Sequence, residues 1–132
     1  MSRPVVLSNG ELHVGLDEYG FVHDMYFPYV GYENHAGGAS ISHHIGVWID
    51  GVMSWLNNTT WCITHSYPHE GLISHTIATQ AELGVRIEFD DAVDTDINLF
   101  MRSIHVINLR DTDREIRLFM HQAFTIGDAR NN

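Results

Sequence analysis

The chain has 132 residues, enough for one domain that buries roughly two-thirds of the surface its unfolded form would expose. Its net charge is -10, and all seven basic residues are arginines, so the surface repels phosphate backbones and anionic lipid headgroups. Nucleic acid and membrane surfaces are thereby excluded as expected partners. No segment is long and apolar enough for a signal peptide or a membrane span, and the single cysteine, Cys62, cannot form an internal disulfide. A cytoplasmic location is the simplest expectation.

In chain order, the first stretch, Arg3 to Ser8, reads as a strand closed by Asn9-Gly10, and a second strand pair is separated by Tyr19-Gly20. The segment YFPYVGYENHAGG, Tyr26 to Gly38, is too rich in glycine and proline for an element interior and too aromatic for a bare solvated loop. Next, HHIGVWI and VMSWL flank Asp50-Gly51, a pair suited to a tight hairpin turn with positive φ at both central positions. Asn57 to Thr60 is a polar turn between Trp55 and Trp61, and Cys62 begins a strand as a small buried residue. Further turns fall at Pro68–Gly71 and Leu83-Gly84. After them, Val85, Ile87 and Phe89 share one face of a half-exposed strand. Asn98–Leu109 and Arg114–Ile126 are apolar at both parities, and the polar Arg110–Asp113 between them predicts a hairpin. Roughly nine or ten short strands with no amphipathic helix predict an all-β antiparallel sandwich filling residues 1–132 as a single domain. The polar end, Ala129–Asn132, carries no structural terminator and suggests a fragment of a longer enzyme.

The candidate chemistry is sparse. His43 and His44 are adjacent, so a strand sends them to opposite faces, while His65, His69 and His75 match no closed zinc pattern; no metal or other cofactor is expected. A glycosidase needs two carboxylates roughly 5 to 9.5 Å apart. Asp90, Asp91, Asp94 and Asp96 cluster where a strand runs into a turn, the usual setting for local backbone hydrogen bonds. Glu33 lies among aromatics but has no second carboxylate near it in sequence. Trp48 reads as core, whereas Trp55 and Trp61 bracket a turn and are either core or a sugar-stacking platform.

Taken together, RPVVLSNGELHVGLDEYGFVHDMYFPYVGYENH and HHIGVWIDGVMSWL resemble the start of the prokaryotic members of glycoside hydrolase family 15, the glucoamylase-, glucodextranase- and trehalase-like enzymes. The likeness covers nearly the whole chain and is most specific from Tyr26 to His35. It implies an N-terminal β-sandwich of the supersandwich type, packed in the parent on a C-terminal (α/α)6 barrel. The family's two catalytic glutamates lie in that barrel, so no residue here inherits a catalytic role. The domain is then expected to orient the barrel that hydrolyses α-glucosides with inversion. Tyr26, Tyr29, Tyr32, Glu33, Asn34 and His35 would form a docking or pocket-rim loop, and the isolated fragment would self-associate through the surface left uncovered. The competing expectation is a stand-alone carbohydrate-binding module.

Overall fold

The computed structural model describes residues 3–37, 43–68 and 70–125. Their regular structure is ten strands and no helix. In order these are β1 (Val5–Ser8), β2 (His13–Leu16), β3 (Val22–Tyr26), β4 (His44–Ile49), β5 (Val52–Trp55), β6 (Cys62–Ser66), β7 (Ile73–Gln80), β8 (Val85–Val93), β9 (Phe100–Asn108) and β10 (Ile116–His121). All pairings between them are antiparallel, as the alternating patterns and short connections require. The strands form three sheets, ordered β1-β2-β3, β10-β4-β5 and β6-β7-β8-β9.

One face of the four-stranded sheet organises the molecule. Along β8 the inward row is Val85, Ile87, Phe89, Asp91 and Val93, each buried, while Arg86, Glu88 and Asp90 point outward. Over the Val85–Phe89 end lie Ile45, Val47 and Leu56 with Ile116 and Leu118 at the margin, from the β10-β4-β5 sheet and its flank. Over the Val93 end lie Val5, Leu7, Val14, Leu16 and Val22 of the β1-β2-β3 sheet. The fold is a sandwich in which one layer is a single sheet and the other is two small sheets side by side.

The turns follow the chemistry of their residues. Asp50 and Gly51 have φ of 52° and 79° and join β4 to β5 with Ile49 opposite Val52, the two-residue hairpin expected of Asp-Gly. Gly84 has φ of 64°, and the side chain of Arg110 lies directly over its Cα, so a side chain there meets both a backbone and a space penalty.

The hairpin expected between the last two strands does not form. β9 pairs with β8, but β10 crosses to the other layer and pairs with β4, placing Ile116 opposite Ile49 and His121 opposite His44. Arg114 fixes the crossing. Its guanidinium, almost fully buried, donates to the carbonyls of Leu83 (2.6 Å) and Gly84 (2.6 Å), to Asn108 Oδ1 (2.7 Å) and to Asp50 Oδ2 (3.1 Å). A polar connection signals a turn but not the layer to which the chain returns. Ile126 and the Ala129–Asn132 end lie outside the described residues.

Three further expectations change. Cys62 lies on β6 as foreseen but is exposed, because β6 is an edge strand and its parity faces outward. Trp48 is not core: Ile45, Val47 and Ile49 take the inward parity of β4, and Trp48 faces out beneath the guanidinium of Arg117, 4.6 Å from its ring centroid. Asp90 and Asp91 lie inside β8 rather than at its end.

Two polar locks tie the layers. Arg102, on the inward row of β9 opposite Asp91, grips that fully buried carboxylate through Nε (2.6 Å) and Nη2 (3.1 Å), and Nη2 also donates to the Gly20 carbonyl (2.7 Å). Burial pushes the Asp91 carboxyl up from its ordinary value, and Arg102 opposes that shift. The second lock is Tyr67, whose hydroxyl accepts from the Val6 amide (3.0 Å) and donates to the Val6 carbonyl (3.3 Å), covering that position on the edge of β1.

Candidate functional site

The Tyr26–Gly37 loop combines a rigid interior with an apolar exterior. Asn34 holds the interior. Its Oδ1 accepts from the amides of Met25 (2.9 Å) and Ala36 (3.1 Å), and its Nδ2 donates to Asp24 Oδ1 (3.0 Å) and more weakly to the His23 carbonyl (3.4 Å). Asp24 is itself gripped by Arg3 and neighboured by His23. Burial opposes ionisation at Asp24, but the hydrogen bonds and charges of Arg3 and His23 together outweigh it and hold the carboxyl below its ordinary value.

His35 joins the loop to the far end of the chain. Its amide donates to the Met25 carbonyl (2.8 Å), its carbonyl accepts from the Thr125 amide (2.8 Å), and its Nδ1 lies 2.8 Å from the Thr125 carbonyl. A carbonyl only accepts, so the Nδ1 proton is committed there. Glu33 Oε2 stands 3.9 Å from the same Nδ1, beyond hydrogen-bond distance, and has no hydrogen-bond partner among the described residues.

On the outside, the chain makes a cis peptide at Phe27-Pro28 and turns through Gly31 at φ 107°. Phe27, Tyr29, Val30 and Tyr32 all stand in solvent, Tyr29 being 59% exposed, with the Tyr29 and Tyr32 rings 5.7 Å apart. Tyr26 is half-buried at the base, where it bridges to Asn34. Of the loop residues singled out from sequence, Tyr29 and Tyr32 are therefore presented outward, whereas Asn34 and His35 hold the frame.

The two tryptophans expected to act together are separated by burial. Trp61 is 7% exposed, sits in the core and donates from Nε1 to Ser54 Oγ at 2.9 Å, so it offers no open ring face. Trp55 is 37% exposed on the outer face of the β10-β4-β5 sheet. Gly46 lies under it: a Cβ there would fall 2.7 Å from the Trp55 ring and 2.9 Å from Met53 Cε, so the missing side chain lets both lie flat on the sheet. The strand registers put Phe119 on the other side of Gly46 and set Arg117, Trp48 and Met53 in the next row. Sequence reading missed this face because it placed Trp48 inside. The parity of Ile45, Val47 and Ile49 already separates Trp48 from them.

Three of the four aspartates singled out from sequence are engaged by local partners. Asp91 is held by Arg102, Asp90 Oδ1 is 2.7 Å from His75 Nδ1, and Asp94 Oδ1 accepts from the Asp96 and Ile97 amides, which lower the Asp94 pKa. Three of the histidines, His43, His44 and His121, gather where β4 meets β10, and His65 and His75 lie apart from them on the four-stranded sheet. His43 packs on Phe124 with ring centroids 4.6 Å apart, and His44 packs against Phe21, Trp55 and His121. His65 Nε2 donates to the Glu18 carbonyl, so its Nδ1 accepts from the Thr76 hydroxyl. His69 lies outside the described residues. Among the described residues no group of three His, Cys, Asp or Glu side chains is placed to hold a metal ion, and no helix is long and apolar enough to cross a membrane.

Comparison with known proteins gives one clear relation. No family model and no solved structure matches the chain. Over 123 residues, 93% of its length, it is 25% identical to a protein of Methanocaldococcus jannaschii described as an uncharacterized glycosyl hydrolase. The matched region is 19% of that relative, so the chain spans about a fifth of the length of the curated protein it resembles.

Proposed function

We propose that the chain is the non-catalytic N-terminal domain of a glucoamylase-like glycoside hydrolase, resembling family 15, and that it docks on and orients a C-terminal (α/α)6 catalytic domain. The parent would release glucose from α-glucosides by inverting hydrolysis. The observation that carries this reading is the split character of the Tyr26–Gly37 loop. Asn34 and His35 hold its backbone rigidly, while Phe27, Tyr29, Val30 and Tyr32 present rings and aliphatic surface to water. Preorganised aromatic residues on a rigid frame are the usual anchors of a protein interface, because little conformational freedom remains to be lost on docking. The glycosyl hydrolase relative, of which the matched region is only 19%, agrees with chemistry performed elsewhere in a longer polypeptide.

The test is made in the full-length enzyme. Tyr29→Ala with Tyr32→Ala should lower its melting temperature and kcat together through loss of docking. Glu33→Gln and His35→Ala should raise KM if the loop reaches the pocket rim. Unchanged stability and kinetics in all of these variants would overturn the reading.

A second reading, a stand-alone carbohydrate-binding module, is favoured by Trp55 and Phe119 flanking Gly46 on an open sheet face. Titrating the chain with maltose, isomaltose and trehalose while following tryptophan fluorescence separates the two. Saturable binding lost in Trp55→Ala supports the module, and no response supports the docking domain.

A further inference from the structure

Among the described residues the sandwich is unsealed along one side. The inward row of β8 pairs residue for residue with β9, placing Ile87 opposite Val106, Phe89 opposite Ile104 and Val93 opposite Phe100. The β8 members are buried, but Val106, Ile104 and Phe100 are only half-buried. β10 shows the same defect. Ile116, Leu118 and Met120 share one parity, and the first two pack against the core, yet Met120 is 40% exposed. An interior-facing methionine in water marks the place where cover is missing.

Phe100, Ile104 and Met120 line one trough. With Val22 and Met25 from β3, Arg102 from β9, and Gln122 and Phe124 beyond β10, they enclose about 400 Å³. The three strands that form its walls are each the edge strand of a different sheet. The outer edge of β3 is taken by Asn34 and His35, but β9 and β10 each leave backbone N–H and C=O groups without a strand neighbour among the described residues, and the three strands together frame a largely apolar floor. A small polar ligand satisfies neither feature. An extended segment satisfies both, since its backbone pairs with an edge while alternate apolar side chains enter the trough.

We propose that the trough between β3, β9 and β10 is completed by a β-strand from elsewhere in the same, longer polypeptide, carrying apolar residues at alternate positions. The proposal rests on the reading of this chain as part of such a polypeptide. The relative supplies the argument for that source, since four-fifths of its length lies outside the matched region. The strand is distinct from the docking partner of the Tyr26–Gly37 loop.

The experiment compares the 132-residue chain with the complete polypeptide of its gene, both dilute, by hydrogen exchange of β9 and β10 amides and by binding of a hydrophobic dye. The complete polypeptide should show roughly tenfold or greater added protection of these edges and little dye binding. Met120→Asp should abolish that gain in the complete polypeptide while leaving exchange in the short chain unchanged. Tyr29→Ala with Tyr32→Ala should leave the protection intact even if domain docking is lost, so the two readings fail separately. Equal exchange in both proteins overturns the proposal, as does an open reading frame ending at Asn132. Protection that appears only when the short chain is concentrated assigns the trough to a second copy and overturns it as well.

Discussion

β8 and β9 are neighbouring strands of equal length whose inward rows face the same layer, yet one is dry and the other half wet. Their apolar content does not explain the difference, since Phe100, Ile104 and Val106 are as hydrophobic as Phe89, Ile87 and Val85. What differs is cover: β8 has a strand on each side and a sheet above it, whereas β9 has one neighbour and looks into the trough. Burial in this molecule is set by where the second layer stops. Side-chain chemistry alone would have given the two strands equal shares of the core.

The sharpest way to break the comparison is truncation on both strands. Phe89→Ala, at a fully buried site, should cost about 3–5 kcal/mol in urea unfolding. Ile104→Ala, directly opposite, should cost only about 1–2 kcal/mol, because part of its surface is already hydrated and water replaces what is removed. Equal costs would mean the trough is closed in solution.

Of nearly the same size is Arg102→Met, expected to destabilise by about 3–5 kcal/mol through leaving Asp91 buried and unpaired. Adding Asp91→Leu should restore most of the loss. If the single variant were harmless, Arg102 would not be the lock between the dry row and the wet one.

A smaller effect is expected at Asp17, buried in the turn between β2 and β3, where its Oδ1 accepts from the Tyr19 (2.9 Å) and Phe21 (3.0 Å) amides. Burial raises its pKa despite those two bonds. A raised carboxyl binds its proton more readily folded than unfolded, so its favourable contribution is full below the unfolded pKa and is lost as pH rises through the folded value. Asp17→Asn keeps the acceptor and removes the buried charge. It should equal or exceed the parent in stability at pH 7 and lose that advantage in acid.

The smallest effect lies beside the trough at His43, whose pKa is lowered chiefly by burial, with the backbone of Ala123 opposing the shift and the neighbouring His121 and His44 adding to it. The unfolded chain takes up this proton near the ordinary value of 6.5, while the folded chain resists it. Stability from this group is therefore full above that pH and is lost as pH falls through the folded pKa. His43→Phe, which keeps a ring against Phe124, should flatten the acid limb of the stability profile. A parallel shift without flattening would show that the imidazole does not titrate there.

The strands were legible in the sequence because alternation and turn residues are local signals. Asp50-Gly51 specified its hairpin, and Val85, Ile87 and Phe89 specified the inward row. The destination of β10 was not legible, since it depends on Arg114 reaching carbonyls some thirty residues earlier in the chain. The loop from Tyr26 announced itself by composition, but nothing local distinguished Asn34, which holds it, from Tyr29 and Tyr32, which it displays. The tryptophans show the same limit. Parity alone decides Trp48, whereas the burial of Trp61 depends on the distant residues it packs among and on Ser54 of β5, which accepts its indole proton.

The Tyr67 hydroxyl on Val6 has a consequence for how the molecule can grow. One phenol occupies both the donor and the acceptor of that β1 residue, as an adjoining strand would. Strand addition is discouraged at that margin and left open across the molecule, along β9 and β10. Sheet growth at the margin of β1 would have to displace Tyr67 from Val6, whereas growth along β9 and β10 displaces no such contact among the described residues, so any extension of the sheets, whether native completion or misassembly, meets less resistance there than at β1.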